Sequence, residues 1–538
     1  MKLKVVSAIA LLACLLSLVL WSAFAMPVEA NSKTVYVDAG NVNDPDEDGS
    51  VAHPFDLIQE GVDAAGSGDT IQVASGVYYQ SVEIRKSWIS LVGEKGGTII
   101  DGNGTVPVGV RIFRTPPDYT ENVSISGFTV RNFVKGITLS RSLHIRLRDN
   151  SMIGNTYNFG DYSLQVHDID TSNTVDGKPI YYWVNQRDKQ VPADAGFVAL
   201  VGSVNMTVKD LNLTSNVQGL LLKNTTFSLV ENVHISNNWD GLYLERWSNN
   251  NTITNSTVEN NLFMGIYVST SSSNIIADTA ILNNAYGLMF DSRVYEYVLD
   301  YNASSNTVRD NIVRENTVAN SSLIGVYLID SVDNIFYHNS FVNNARQIFN
   351  LNSTSHWDNG EEGNYWGDFP VEDSDKDGFG DAPYVIDENN QDNHPLMGSF
   401  SDFVVTWQEE TYHVTIISNS TISEFNFSQP DKMLGFNVTV THGASVFCRL
   451  SVPMNLLGGP YTLVFDGMSS ANFLEESNGT HSFLYFTYND DVHDVKIEGT
   501  SVVPEFPSIS LVFFFVVLAI GATIGVLTRR KLVPASSG

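Results

Sequence analysis

The hydrophobic positions of this chain follow a short phrase in which a glycine precedes alternating apolar residues. Five copies begin at Gly219, Gly241, Gly265, Gly287 and Gly325, after an earlier one at Gly136. Their starts lie 22, 24, 22 and 38 residues apart, and the last interval indicates one coil with an insertion. Strand-length apolar runs at this period, broken by Asn and Gly and lacking helical periodicity, predict a solenoid of stacked parallel strands. Each coil then buries its apolar side chains against its neighbours.

The polar pattern divides the rest of the chain into recognisable segments. Coils are expected over residues 34–398, with a short helix at residues 57–65 as a cap on the open first coil. An aromatic-rich stretch at 156–196 is predicted to be an insertion between coils. From 402 to 501 the period changes to about seven short alternating segments, which predicts a small antiparallel β-sandwich.

Both ends of the chain carry targeting patterns. Residues 1–25 combine two lysines, an apolar run and an Ala-Phe-Ala site, as a secretory signal peptide does, although acylation at Cys14 is an alternative. Residues 509–527 form an uncharged apolar run followed by basic residues. The sequence therefore predicts a single-pass cell-surface protein with an extracellular N-terminal region, a transmembrane helix at 509–527 and a cytoplasmic tail at 528–538. Cys448 would be left without a disulfide partner.

Charge narrows the set of partners. The formal net charge is -30, which excludes nucleic acid and polybasic lipid binding as functions. Fourteen Asn-x-Ser/Thr sequons lie in the region expected to face outward, and glycosylation is expected at some of them. The acidic residues either only keep the protein soluble or also bind divalent cations.

The repeats predict a ligand face. If the first and third residues after each glycine point inward, the second-position residues point outward and stack along one side. These residues are Leu221, Tyr243, Tyr267, Met289 and Tyr327. We expect sugars to stack on Tyr243, Tyr267 and Tyr327, with Tyr182 and Trp183 of the 156–196 stretch overhanging the same face. The alternative is that Tyr182 and Trp183 only pack that stretch onto the coils.

Two carboxylates share the next outward position of the phrase. Glu245 and Asp291 lie two coils apart, which places their backbones about 10 Å from each other. Carboxyl groups of inverting glycosidases are about 6.5–9.5 Å apart, so the pair is a candidate for glycoside hydrolysis. The alternative for an acidic protein is surface decoration.

Carboxylates at alternate positions around a glycine predict a calcium loop at residues 373–381. Such spacing lets side chains and one backbone carbonyl converge on a hard cation, as in EF-hand loops. The twelfth position is Tyr384, so a bidentate ligand would come from elsewhere, with Asp387 and Glu388 as candidates. A solvated acidic turn is the alternative, and a structural role is expected for bound calcium. The predicted ligands are the side chains of Asp373, Asp375, Asp377 and Asp381 and the carbonyl of Phe379.

Several segments resemble a known family. Val35-Tyr36-Val37-Asp38, His53-Pro54-Phe55 and Gly76-Val77-Tyr78-Tyr79 resemble the first coils of pectin-lyase-like right-handed β-helices, and Gly363-Asn364-Tyr365-Trp366 resembles a segment of archaeal surface proteins with NosD-type repeats. Val503-Pro504-Glu505-Phe506-Pro507 resembles an archaeal PEF-type membrane anchor. The resemblance covers roughly residues 34–398 and implies carbohydrate binding or sugar hydrolysis. The family's name also implies copper, which is not expected here because the histidines are dispersed and no Met-rich run occurs.

Together these patterns predict an all-β protein: a right-handed parallel β-helix, a small antiparallel β-sandwich and one C-terminal transmembrane helix. The leading function is a non-catalytic surface protein that binds glycans or other cell-envelope components. The alternatives are a calcium-dependent polysaccharide hydrolase or lyase, and a structural stalk or adhesin with a protein partner.

Overall fold

The computed structural model describes residues 32–104, 106–163, 166–293, 311–407, 409–440, 446–470, 472–488, 492–503 and 520. The predicted signal peptide and cytoplasmic tail lie outside these residues, as does the predicted transmembrane helix apart from Ile520. No helix among the described residues is long and apolar enough to cross a bilayer. The chain divides into two compact units. The first unit contains the residues up to Asn311 with 320–332 and 348–353, and the second contains 312–319, 333–347 and the residues from Thr354 onward.

The first unit is a stack of parallel strands, as the 22–24-residue period predicts. Its largest sheet, here called the long sheet, is parallel except for one hairpin-like pair formed by its fifth and sixth strands. Tyr286–Asp291 pairs directly with Ile324–Ile329, so the 38-residue interval is one coil with an insertion. In order, the strands of the long sheet are Gly76–Tyr78, Thr98–Asp101, Phe128–Arg131, Ser151–Ile153, Thr174–Val175, Lys178–Val184, Phe197–Val201, Gln218–Lys223, Asp240–Glu245, Met264–Ser269, Tyr286–Asp291, Ile324–Ile329 and Ile348–Leu351.

Shorter sheets complete the coils of the first unit. They bury Ile, Val and Leu on their inner faces, and the outer positions of most strands are polar. One sheet contains Thr34–Val37, Thr70–Val73, Ser90–Val92, Ser124–Ser126, Arg146–Arg148 and Asp168–Ile169, a second contains Val82–Ile84, Val108–Ile112, Lys135–Leu139 and Tyr157–Asp161, and a third pairs Thr120–Glu121 with Ser142–Leu143. Later coils add Thr207–Lys209, Leu229–Glu231, Thr252–Thr254 and Ile275–Ala277 on one side and Asn212–Thr214, His234–Ser236, Thr257–Glu259 and Ala280–Leu282 on another.

The predicted cap is present as the helix Ile58–Ala64. It buries Ile58 and Val62 against the first coil, and the backbone of Gly61 approaches closely. A Cβ at Gly61 would lie 2.7 Å from a methyl of Val37 and 3.0 Å from one of Ile71. Glycine at this position therefore lets the helix pack on the first two strands of the coil.

The prediction of an insertion at 156–196 is wrong. This stretch supplies strands that extend the existing sheets: Tyr157–Asp161, Asp168–Ile169, Thr174–Val175 and Lys178–Val184. The last of them pairs in parallel with Phe197–Val201. The aromatic residues of this stretch lie in strands, and aromatic side chains favour β-strands as well as functional loops.

The asparagine doublets have two different roles. The first residue of each doublet, at Asn237, Asn260 and Asn283, has φ near 55° and turns the chain in the left-handed region that Asn tolerates. The second residue is buried and stacks in a ladder, in which the amide of Asn238 donates to Asn261 at 3.1 Å, and that of Asn261 donates to the next doublet at 3.1 Å. The ladder satisfies polar groups at the corner of every coil.

The second unit begins with the same kind of coil. Two short parallel stacks run through Ile312–Arg314, Val332–Tyr337 and Thr354–His356 and through Thr317–Ala319, Ser340–Val342 and Tyr365–Trp366. Its asparagine ladder joins Asn316 to Asn339 at 3.0 Å and Asn339 to Asn364 at 2.9 Å. Trp357 stacks on Phe336 with ring centroids 4.4 Å apart and is almost fully buried. A hairpin of Tyr384–Asp387 and Asn390–Asp392 follows.

Two five-stranded antiparallel sheets then pack on a common apolar core, so the antiparallel sandwich is present with ten strands instead of about seven. Met468–Ser470 and Phe473–Ser477 are short and mostly exposed, so they show no apolar alternation in the sequence. Within the described residues, buried Cys448 forms no disulfide. One sheet contains Ser399–Trp407, Glu410–Ser418, Val446–Pro453, His481–Tyr488 and Phe473–Ser477, the other Thr421–Ser428, Met433–Thr439, Val492–Glu498, Thr462–Phe465 and Met468–Ser470, and Leu457–Gly458 pairs with Ser501–Val502.

Candidate functional site

The second-position residues of the phrase lie in register on one side of the long sheet. Leu221 pairs with Tyr243, Tyr243 with Tyr267, Tyr267 with Met289 and Met289 with Tyr327. They are not an open ligand face, however. Tyr243 is 8% exposed and Tyr267 7%, and both belong to an apolar cluster. The prediction that these two tyrosines offer free ring faces is wrong, because other side chains pack over them.

An aromatic surface does exist, displaced toward the start of the strands. The aromatic stripe, as we call it, consists of Phe263, Tyr286, Tyr327 and Phe349, so one predicted residue, Tyr327, belongs to it. Phe263 is 39% exposed and the other three are partly exposed. Successive ring centroids are 5.1, 5.9 and 4.8 Å apart. Sequence reasoning missed Phe263 and Tyr286, although both immediately precede a phrase, within two residues of its glycine.

Asp240 lies beside the buried tyrosines with a perturbed carboxyl group. Its Oδ2 accepts hydrogen bonds from the phenols of Tyr162 at 3.0 Å and Tyr243 at 3.1 Å. Burial raises the pKa of Asp240 to about 6, although the two phenols and the positive charge of Lys135 act in the opposite direction. Burial also lowers the pKa of Lys135, whose ammonium lies 3.4 Å from the ring centroid of Trp239. No local sequence pattern indicates this cluster, because its members lie far apart along the chain.

A second buried cluster surrounds Asp161. Its carboxylate accepts from the ammonium of Lys223 at 3.1 Å and from the phenol of Tyr182 at 2.9 Å. Burial opposes ionisation of Asp161, but Lys223 and His167 together hold its pKa far below the ordinary value. His167 accepts the backbone N–H of Ile145 at its Nδ1, which leaves Nε2 to donate toward Ser163. The cluster links Asp161, at the end of the strand Tyr157–Asp161, to Tyr182 and Lys223 on two strands of the long sheet.

The two predicted catalytic carboxylates share a column, with Ser269 between them, but differ in environment. Asp291 is fully buried and held by the guanidinium of Arg293 through two hydrogen bonds of 3.0 and 2.9 Å. Asp291 is therefore engaged in an internal, bidentate ion pair and does not face outward as predicted. Glu245 is partly exposed, its Oε1 lies 3.5 Å from the Lys223 ammonium, and burial raises its pKa.

Tyr182 and Trp183 also differ from the prediction of an overhanging pair. Tyr182 is buried with its phenol on Asp161, so it does not offer a surface for a ligand. Trp183 is partly exposed, stands edge-on to Tyr181 at 5.6 Å between centroids, and has the Lys189 ammonium 5.8 Å from its ring.

The segment predicted to bind calcium is a tight turn closed on Asp373. The carboxylate of Asp373 accepts the N–H groups of Asp377 and Gly378, both at 3.1 Å, and Gly378 has a φ of 87°. Carboxylate oxygens of Asp373, Asp375 and Asp377 lie within 4.8 Å of one another. Burial raises the pKa of both Asp373 and Asp377. The arrangement brings three of the predicted ligands together.

The remaining predicted ligands lie close to the same loop. Asp381 accepts the backbone N–H of Ser374 at 3.0 Å, and Phe379 donates its N–H to Asp377 at 2.9 Å. A cavity of about 320 Å³ beside the loop is lined by Asp381 and Phe379 and by Glu361 and His394. Glu361, and neither Asp387 nor Glu388, lines that cavity; the carboxylate of Asp387 instead accepts the N–H of Asn389 within the hairpin.

A second acidic group, which sequence reasoning missed, lies near the N-terminal cap. Carboxylate oxygens of Glu47, Asp56 and Glu60 lie within 4.8 Å of one another, and burial raises the pKa of Glu60. The only signal in the sequence is the acidic run around Glu47.

Comparisons with known proteins agree with this architecture over part of the chain. Residues 171–370 match the family model described as periplasmic copper-binding protein (NosD). The probable ABC transporter binding protein NosD of Stutzerimonas stutzeri is 28% identical over 145 residues, which is 26% of this chain and 32% of that protein. The chain thus spans about a third of the length of this curated relative. It is similar to NosD proteins as a repeat of β-coils.

Solved structures give weaker likenesses. The A-module of the mannuronan C-5 epimerase AlgE6 of Azotobacter vinelandii has a TM-score of 0.26 at 14% identity, covering 56% of this chain and 93% of that one. The GH136 lacto-N-biosidase of Eubacterium ramulus has a TM-score of 0.29 at 11% identity, covering 60% and 68%. Likeness of this degree carries no information about the chemistry of this chain.

The copper in the family's description does not fit the residues described. In the parts of the chain that the structure describes, the groups of three or more His, Cys, Asp or Glu ligand atoms consist of carboxylates alone. Copper favours imidazole and sulfur ligands, whereas carboxylates suit calcium. The described residues therefore suit calcium better than copper.

Proposed function

We propose that this protein is an extracytoplasmic β-helix protein that binds glycans on the outer face of its long sheet. The observation that carries the proposal is the aromatic stripe, in which four partly exposed rings follow one another across four consecutive coils. Partly exposed aromatic rings bind the apolar faces of sugars, and single exposed aromatics without such order would need no explanation. The similarity to a family described as periplasmic supports a location outside the cytoplasm.

A glycan array tests this proposal. The purified full-length chain in detergent is expected to bind a subset of glycans, and Tyr286→Ala is expected to remove that binding. Phe227→Ala is the matched control, because Phe227 is an aromatic residue with 61% exposure that lies outside the stripe. Binding that survives Tyr286→Ala would place the ligand elsewhere, and an array without signal would favour a structural stalk or adhesin.

The proposed protein is anchored in the membrane by its C-terminal apolar segment. The apolar run at 509–527 and the basic residues after it support a single-pass protein with its N-terminal region outside the cell. Deletion of residues 509–538 is expected to move the protein from the membrane fraction to the medium. Retention in the membrane fraction would contradict the anchor.

Polysaccharide hydrolysis is the second candidate, and Glu245 is the observation in its favour. A partly buried carboxyl group with a raised pKa suits a general acid. Its predicted partner Asp291 is occupied by Arg293, so a second carboxylate would have to come from elsewhere. Reducing-end release from a polysaccharide panel, lost in Glu245→Gln, would support hydrolysis; no release by the unmodified protein would remove it.

A further inference from the structure

The geometry of the aromatic stripe points to a particular class of glycan. We infer that it binds a neutral, linear glycan in an extended conformation across successive coils, with two central stacking subsites at Tyr286 and Tyr327. This inference rests on the proposed function and specifies its ligand.

The direction of the ligand follows from the spacing of the rings. Strands in one sheet lie about 4.8 Å apart, and the ring centroids of the stripe repeat at a similar interval. Phe263 lies immediately before the strand Met264–Ser269, and Tyr286, Tyr327 and Phe349 lie in the three strands that follow it in the sheet, so each successive coil contributes one ring. A pyranose ring is comparable in length to one such step. A linear glycan therefore meets a new ring with each sugar only if it runs across the strands.

The ring orientations divide the stripe into a centre and two ends. The rings of Tyr286 and Tyr327 are close to parallel, at 25°, with centroids 5.9 Å apart. Phe263 stands at 74° to Tyr286, and Phe349 at 79° to Tyr327. Because the two central rings are stacked on each other, one glycan chain can contact both along the surface that this packing leaves exposed, whereas the edge-on rings act as walls. The central tyrosines should therefore contribute more to affinity than the two phenylalanines.

The stripe also has a defined first end. The preceding coil offers Trp239, whose carbonyl accepts the N–H of Phe263. The ammonium of Lys135 lies 3.4 Å from the indole centroid, and the ring of Tyr157 stands edge-on to the indole at 5.7 Å. Because that aromatic face already holds a cation, sugars are not expected to extend onto it. At the other end, Phe349 belongs to the last strand of the long sheet.

Charge selects a neutral glycan. The segments that carry the stripe, residues 262–268, 285–290, 323–328 and 347–351, contain no Lys, Arg, Asp or Glu. The whole chain has a net charge of -30, which disfavours polyuronates. Hydrogen bonds to hydroxyl groups can come from the exposed amides of Asn260 and Asn283, which lie three residues before Phe263 and Tyr286 respectively. The surface thus presents rings and amides in the same repeat.

Titration calorimetry on the full-length chain in detergent tests the inference with two oligosaccharide series, neutral β-1,4-glucan and polygalacturonate, each from monomer to hexamer. Affinity for the neutral series is expected to rise most from monomer to dimer and to level off at the tetramer. Tyr286→Ala and Tyr327→Ala should each lower it about tenfold or more, and Phe263→Ala and Phe349→Ala less. Tyr286→Leu, which retains apolar packing, should behave as Tyr286→Ala does, and Phe227→Ala should have no effect.

Several results would overturn the inference. If affinity does not depend on length, or if polygalacturonate binds more tightly than the neutral series, the inference fails while glycan binding stands. If all four ring variants bind the neutral series as the unmodified chain does, the glycan lies elsewhere. If the glycan array and both series give no binding, the inference and the proposed function fail together. An unfolding transition at the same temperature in each variant shows that the fold is retained.

Discussion

Lys223 is the cation on which the buried charges of the long sheet depend. Its ammonium lies 3.1 Å from Asp161 and 3.5 Å from Glu245, and its side chain is almost fully buried. Lys223→Met removes the cation and leaves Asp161 ionised in a place that water does not reach. We expect a loss of about 3–5 kcal/mol in the free energy of unfolding, measured by denaturant titration.

The matched control for Lys223 is Lys209→Met. Lys209 makes ion pairs with Asp210 and Glu231 at the surface, so its removal should change the free energy of unfolding by less than about 1 kcal/mol. Asp161→Asn combined with Lys223→Met should recover part of the loss, because no lone charge remains. Equal, small effects of both lysine substitutions would contradict the structural role of Lys223.

Asp240 links stability to pH. Its pKa in the folded chain is about 6 because burial disfavours the charged form, whereas in the unfolded chain it returns to the ordinary value of 3.8. The folded state therefore binds the proton more tightly, and this contribution to stability is complete below pH 4 and is lost as pH rises through 6. Relative to the unmodified chain, Asp240→Asn should therefore be more stabilising at pH 7.5 than at pH 4.5, by about 2 kcal/mol.

Melting curves of Asp240→Asn and the unmodified chain at the two pH values measure this difference. Exposed Asp278→Asn is the control and should leave the dependence on pH unchanged. An identical dependence in Asp240→Asn and the unmodified chain would mean that the phenols of Tyr162 and Tyr243 compensate fully for burial.

At the scale of the strand and its corner, the asparagine ladder should matter more than the turn beside it. Asn261 accepts the backbone N–H and the side-chain amide of Asn238 and donates to Asn284. Asn261→Ala leaves these buried groups without partners, so we expect a loss of about 2–3 kcal/mol in denaturant titration. Asn260→Gly should be close to neutral, because glycine also adopts the left-handed conformation of this exposed residue. Similar losses in both variants would assign the stability to the turn.

The repeated pattern of a glycine followed by alternating apolar residues predicted how the coils stack. It did not predict which side chains cover the outer face of the coils. Register followed from the sequence because Leu221, Tyr243 and Tyr267 occupy equivalent positions in successive coils. The burial of these residues did not follow from the sequence, because distant parts of the chain cover them. Tyr162 bonds to Asp240, 78 residues away, and Asp161 bonds to Lys223, 62 residues away. Contacts of that range have no local pattern. The grouping of the carboxylates at 373–381 was predictable because all of them lie within nine residues, whereas the cavity residue Glu361 comes from a separate segment.

At the scale of the whole chain, a net charge of -30 means that any salt should stabilise the protein by screening repulsion. A specific calcium effect must therefore exceed that of a monovalent salt at equal ionic strength. In the second unit the loop at 373–381 contacts the sandwich through Arg449, whose guanidinium lies 4.8 Å from the ring centroid of Phe379 and 4.7 Å from that of Phe483. Calcium held by the loop would fix this contact as well as the loop itself.

We therefore expect calcium to raise the melting temperature of the full-length chain above the value in sodium chloride of equal ionic strength, and a chelator to reverse the increase. Binding to the folded state alone stabilises it in proportion to the logarithm of calcium concentration over the dissociation constant. Asp375→Ala should abolish the increase, and Glu361→Gln should weaken it because Glu361 lines the adjacent cavity. Glu388→Gln is the control and should retain it. If calcium leaves the melting curve unchanged, the loop is an acidic turn that binds no calcium. The three carboxylates, whose oxygens lie within 4.8 Å of one another, would then repel each other without a cation between them.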